Sequence, residues 1–159
     1  ERGRPGPNHP QRAKRQLISH PKLYWFDAGV FRSVRPAGPL DRPAEIAGAA
    51  LEGLVAQHLR AWIDYDGRDV ALYFWRTKSG TEVDFVIYGS GGFWAIEVKN
   101  AARVSGTDLR GLRVFKEDYP QAKTVLVYRG TKRLRVDGIL CVPCAEFLTD
   151  LRPGRDLPM

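Results

Sequence analysis

The chain has 159 residues, 43% of them apolar, which is enough for one domain with a real core. Its formal net charge is +7 and its isoelectric point is near 9.7, a balance that favours an anionic partner, nucleic acid first. No apolar run approaches the length of a membrane span and no charged-then-apolar leader opens the chain, so a cytoplasmic rather than a membrane or secreted location is expected. A first residue of Glu rather than Met reads as a fragment whose upstream portion is missing.

Residues 1–21 are rich in Pro, Gly, Arg and Lys and read as a linker or basic arm, with a solvated tail as the plainer alternative. Lys22 to Asp27 (KLYWFD) is a short apolar run suited to an edge strand or an extended lead-in. Asp27 stands where an N-cap would, before a short helix in AGVFRSV. Residues 35–43 contain prolines and a glycine and read as a loop. Arg42 to Tyr65 carries the longest helical pattern, with Ile46, Ala50, Leu54, Leu59, Trp62 and Ile63 near helical spacing and Pro43 in the first turn. Glu52 lies beside small residues of that helix, which suits either a partly buried site acid or a border residue reaching water.

Val70 to Thr77 (VALYFWRT) reads as a strand and Lys78-Ser79-Gly80 as the turn after it. Glu82–Tyr88 and Phe93–Val98 then flank Gly89-Ser90-Gly91-Gly92, a hairpin signal, so three strands are expected as a meander. Asp108 to Tyr119 predicts a second helix, with Leu109, Leu112, Phe115 and Tyr119 on its apolar stripe and Arg110, Arg113 and Lys116 on its basic side. Lys123 to Tyr128 is nearly all apolar, as a buried parallel strand after a crossover helix would be. Short strands are expected at 134–136 and 139–142 around Asp137-Gly138, then a closing helix over 144–151 and a tail over 152–159. Residues 22–151 thus form the expected domain. Cys141 and Cys144 have a C-x-x-C spacing, but no further ligand pair accompanies them. They read as small apolar residues at a strand-to-helix junction. No P-loop motif is present.

The hairpin from Thr81 to Asn100 holds the chemistry. A turn centred between Ser90 and Gly91 sets Asp84 opposite Glu97 and Glu82 opposite Lys99. Strand alternation then puts Glu82, Asp84, Glu97 and Lys99 on one face, and Val83, Phe85, Ile87, Trp94, Ile96 and Val98 on the other. Carboxylates directly opposite each other repel, so a fold that keeps them needs something positive between them. A divalent cation would serve, since hard cations take carboxylate oxygens, and Lys99 could then orient or deprotonate a water. The alternative is a surface hairpin in which Lys99 pairs with Glu82 or Glu97.

The order α-β-β-β-α-β, with Glu52 in GAALEGLVAQHL, Asp84 in TEVDFVI, and Glu97 and Lys99 in AIEVKN, resembles the PD-(D/E)XK nuclease superfamily. KLYWFDAGVF together with GTEVDFVI and AIEVKN is also similar to the C-terminal domain that follows the ATPase core in a group of prokaryotic AAA-type ATPases. The resemblance covers about Lys22 to Leu151. It implies a restriction-endonuclease-like α/β fold, a mixed central sheet flanked by helices. It implies Mg²⁺ (or Mn²⁺) on Asp84, Glu97 and the Val98 carbonyl, with Glu52 adding a ligand and Lys99 acting on the attacking water. Val83 stands where the superfamily often has Pro. The implied function is Mg²⁺-dependent hydrolysis of DNA, with an upstream ATPase domain as partner. The alternatives are a catalytically inactive module that binds nucleic acid or docks a partner through Arg110, Arg113 and Lys116 of the basic helix and Lys123, with Lys132, Arg133 and Arg135, and an RNA-processing domain.

Overall fold

A computed structural model describes residues 38–159 together with Gly29, Val30, Ser33 and Arg35. The expected linker and the lead-in strand at 22–27 lie outside the described residues. Within the expected short helix, Gly29, Val30 and Ser33 are helical, and the Ser33 hydroxyl donates to the Val30 carbonyl at 3.0 Å.

Helix α1 spans Pro43–Asp66, entered through Pro43 and closed by Gly67 in the left-handed conformation. Strands β1 (Val70–Arg76), β2 (Glu82–Gly89) and β3 (Gly92–Lys99) follow as an antiparallel meander. A short 3₁₀ turn, Gly106–Leu109, leads into α2 (Arg110–Asp118). The sequence pattern had run these two into one helix. The Ser105–Asp108 capping box instead opens the 3₁₀ turn, with the Ser105 N–H donating to Asp108 Oδ2 at 2.8 Å. Strands β4 (Lys123–Tyr128), β5 (Leu134–Val136) and β6 (Ile139–Pro143) and helix α3 (Cys144–Asp150) complete the chain. Asp137 and Gly138, at φ 49° and 77°, form the tight turn that joins β5 to β6.

The result is one six-stranded mixed sheet in the order β1-β2-β3-β4-β6-β5, flanked by helices, as expected for the α/β class. β3, β4 and β6 are parallel. Each face has its own core. On one, Leu51, Val55, Leu59 and Trp62 of α1 and Phe147 of α3 pack against Phe85, Ile87, Trp94, Ile96, Val125 and Val127. Trp62 and Trp94 meet edge to face at 6.0 Å. On the other, Leu112 and Phe115 of α2 pack against Trp75, Val86, Ala95 and Leu126, with Trp75 and Phe115 edge to face at 5.4 Å.

Three details differ from the sequence expectation. Val83 joins the α2-side core with Trp75 and Val86 instead of sharing a face with Phe85. The reason is a bulge: Tyr73 pairs with Val86 but Trp75 with Val83, so Asp84 and Phe85 together oppose Phe74 and the alternation slips. Residues 152–159 are not a free tail. Leu157 is 4% exposed, the Trp62 indole N–H donates to the Arg152 carbonyl at 3.1 Å, and Asp156 pairs with Arg68 at 2.6 Å. The two cysteines are free and buried in opposite cores, Cys141 beside α2 and Cys144 beside α1, which agrees with the apolar reading.

Helix α2 approaches the sheet closely at Gly111, where a Cβ would overlap the Glu82 carbonyl oxygen. Gly→Ala in an unobstructed helix stabilises by about 1 kcal/mol. Gly111→Ala is expected to do the opposite and lower stability by about 1–3 kcal/mol, because α2 must lift from β2. Urea denaturation checks the sign.

Candidate functional site

β2 and β3 hold the expected register, from Phe85 opposite Ile96 to Gly89 opposite Gly92. Continued by one residue, it sets Asp84 opposite Glu97. There the ladder opens. The Val98 N–H donates to Asp84 Oδ2 at 2.8 Å, so a side-chain oxygen takes the place that a strand carbonyl fills in an unbroken antiparallel pair. The bulge at Asp84 and Phe85 lies at this same point. A bulge re-aims side chains and interrupts pairing, and here it turns a strand residue into a lining residue of a cleft between two strands.

Glu97 is the most constrained member. It is only 5% exposed, and Lys99 Nζ lies 2.8 Å from its Oε1. Its Oε2 is buried without a hydrogen-bond partner, 3.6 Å from where a Gly111 side chain would begin. An unsatisfied buried oxygen of this kind costs about 1–3 kcal/mol, more when charged. Burial pushes the Glu97 carboxyl above the usual carboxylate range; Lys99 offsets part of this, and the nearby charge of Glu82 adds to it. For Lys99, burial works against the charged form, but Glu97, Asp84 and Asp108 outweigh it and hold its ammonium above the ordinary lysine value.

The structure therefore brings Asp84, Glu97, Val98 and Lys99 together and adds two acids, Glu82 and Asp108, by their charge. Lys99 chooses Glu97; Glu82 faces Arg76 at 3.9 Å. The ion pair of the metal-free alternative is thus present, but not on a surface hairpin, because both strands are covered by helices. Glu52 lies half-buried on α1, whose core residues pack on the face opposite α2. Among the described residues, no three His, Cys, Asp or Glu side chains gather closely enough to hold a metal ion. Arg110, Arg113 and Lys116 are exposed on α2, and Arg113 is held by Asp137 at 2.9 Å. Asp108 was missed as a neighbour of Lys99; its S-x-x-D spacing with Ser105 marks a cap, and only the return of the loop to β3 brings it near.

The raised Glu97 value has a thermodynamic consequence. Between the ordinary carboxylate value, about 4.3, and its higher folded value, the native state holds more protons than the unfolded chain. Stability must fall as pH rises through that window. Glu97→Gln removes this slope. Urea midpoints in EDTA are expected to show the wild type losing stability relative to Glu97→Gln as pH climbs from about 4.3 toward neutrality. Parallel pH profiles would refute the shift.

The family model of DUF4143, a domain of unknown function, matches residues 47–147. An uncharacterized protein of Mycobacterium bovis and one of Mycobacterium tuberculosis are each 31% identical to the chain over 140 residues. The match covers 86% of this chain but 30% of each relative, so the chain spans under a third of their length. With the family model covering more than half of its residues, from the second turn of α1 into α3, the chain belongs to the DUF4143 family.

Proposed function

We propose that this domain is a Mg²⁺-dependent nuclease of the PD-(D/E)XK type that hydrolyses phosphodiester bonds of DNA, and that in its full-length form it follows an AAA-type ATPase core. One observation carries the reading: the buried Glu97 carboxylate, with an orphaned oxygen, beside the Asp84 carboxylate at the point where β2 and β3 part. A fold bears the cost of such an oxygen when a ligand completes it. The donor set fits a hard cation. Mg²⁺ takes one or two carboxylates and keeps several waters, so Asp84, Glu97 and the Val98 carbonyl suffice without a closed three-acid cage.

When bound, the cation would lower the pKa of a water and neutralise charge on a phosphoryl oxygen. Asp84 and Glu97 would hold it, and Glu97 would give up its excess proton affinity in doing so. Lys99 is better suited to orienting water and stabilising developing negative charge than to taking a proton, because the surrounding carboxylates keep it cationic. The Asp84–Val98 hydrogen bond ties the first acid to the strand that carries the second, which fixes their separation.

A second reading, a catalytically inactive module that binds nucleic acid or docks a partner, is favoured by the Lys99–Glu97 ion pair, since that pair already satisfies one oxygen and the ammonium. Titration calorimetry with Mg²⁺ and Mn²⁺, alone and with a non-cleavable DNA duplex, separates the two. Asp84→Ala and Glu97→Ala are expected to lose metal binding and metal-dependent cleavage together. Lys99→Ala is expected to keep metal binding while cleavage falls by about 100-fold or more. Cleavage that persists in Asp84→Ala would refute the mechanism. A wild type that takes up no metal even with the duplex would leave the inactive module as the better reading.

A further inference from the structure

The sheet has two ends, and their charges differ. At one end the strand pairings line up Arg76 with Glu82, Lys99 with Tyr128, and Tyr128 with Pro143. Because β3, β4 and β6 are parallel, their C-termini all arrive at this end, together with the start of β2 and the cleft that holds Asp84 and Glu97. Three loops leave from it: the β1–β2 turn, the exit from β3 and the exit from β4. They carry Lys78, Arg103, Arg129 and Lys132, all exposed, and none of the four has an ion-pair partner among the described residues.

These loops are fixed in place. The Thr81 N–H donates to Thr77 Oγ1 at 3.0 Å in the β1–β2 turn. The Arg129 N–H donates to the Ala101 carbonyl at 2.9 Å, which clamps the β4 exit onto the β3 exit one residue beyond Asn100. The Tyr128 hydroxyl donates to the Lys132 carbonyl, which folds the β4 exit back over its own strand. Arg133, in the same loop, is already neutralised by Glu146.

At the opposite end carboxylates gather: Arg68 pairs with Asp66 and Asp156, and Lys123 with Asp156 at 3.4 Å, while Arg152 and Arg155 of the C-terminal segment are exposed beside them. Asp69 accepts from the Ser90 hydroxyl at 2.9 Å beside the hairpin turn. Helix α2 runs from the cleft, at Gly111, toward this acidic end, and Lys116 lies in an open groove of about 380 Å³ with Glu117 and Asp137. The basic side of α2 that the sequence nominated is therefore partly neutralised at Arg113 and leads away from the carboxylates.

We propose that a phosphodiester backbone lies across the strand-end loops and is held by Lys78, Arg103, Arg129 and Lys132, and that Arg113 and Lys116 of α2 take no part. This rests on the nuclease reading for the identity of the anion. The four cations come from loops on both sides of the Asp84–Glu97 cleft, so a backbone held by them passes over it. Each phosphate neutralised on B-form DNA releases counterions and contributes about 0.9 to the slope of log affinity against log salt.

The test uses the full chain and a short fluorescein-labelled DNA duplex, read by anisotropy in EDTA and again in Ca²⁺ at several salt concentrations. A matched RNA duplex serves as competitor to distinguish the source of the phosphates. Replacing Lys78, Arg103, Arg129 and Lys132 by Ala is expected to weaken binding at least about tenfold and to lower the salt slope by about 2–4. Arg113→Ala plus Lys116→Ala is expected to leave both unchanged. Far-UV circular dichroism and metal titration of each variant confirm the fold and the Asp84–Glu97 cleft, which none of these exposed residues supports. If the α2 double variant loses affinity while the loop variant keeps it, this surface is wrong and the nuclease reading stands. A wild type that binds metal but no duplex overturns this inference alone; one that binds neither overturns both.

Discussion

The structure depends on the burial of one carboxylate. Glu97 sits in the middle of a six-stranded sheet, between strands that pair on either side and under a helix that approaches at Gly111. Desolvation there disfavours its charge, and Lys99 together with the Asp84 backbone N–H restores only part of it. Around this residue the chain departs from regular sheet: the ladder ends, the bulge falls, and a side-chain oxygen of Asp84 replaces a backbone acceptor. Local irregularity of this kind is costly and persists only where the surroundings overdetermine it. Here the two cores do so, with Phe85 and Ile96 anchored on one face and Val86 and Ala95 on the other.

The same strand directions that build the cleft also polarise the molecule. Parallel pairing of β3, β4 and β6 requires a crossover between each pair, so all three C-termini exit at one end. The loops there connect to α2, β5 and α3 and stay short. Among the described residues Lys78, Arg103, Arg129 and Lys132 in these loops have no ion-pair partner, whereas Arg133 pairs with Glu146; at the other end Asp156 of the C-terminal segment pairs with Arg68 and Lys123. The cleft between β2 and β3 opens beside Lys78, Arg103, Arg129 and Lys132, exposed cations that would attract an anion.

Much of this was legible in the chain. The hairpin register followed from the glycines at 89, 91 and 92 and from strict alternation on β3, and it was right to the residue between Phe85 and Gly89. The helices, the meander, the parallel β4 and the Asp137-Gly138 turn were equally visible, because periodicity and turn chemistry are local. The bulge was not. It depends on how β1 and β2 pack their aromatic residues against α2, and nothing in TEVDFVI breaks the alternation that would place Val83 with Phe85. The packing of residues 152–159 was hidden for a similar reason: Leu157 and Asp156 find Trp62 and Arg68 only once α1 and β1 are in place.

What the sequence determined by itself was which groups exist and which of them share a strand: three acids and a lysine on a hairpin, a glutamate on a helix, and a cationic excess. Pairing distance along a strand is set by backbone geometry, so Asp84, Glu97 and Lys99 could be placed without knowing the fold. Which cations find a carboxylate was decided by the tertiary structure. Arg113 looked available from helix periodicity, but Asp137, 24 residues later, occupies it. Arg129 carried no signal in its own neighbourhood, and the Ala101 carbonyl fixes it beside the β3 exit. Charge compensation acts through space between residues far apart in the chain, so it becomes visible only when the sheet has brought them together.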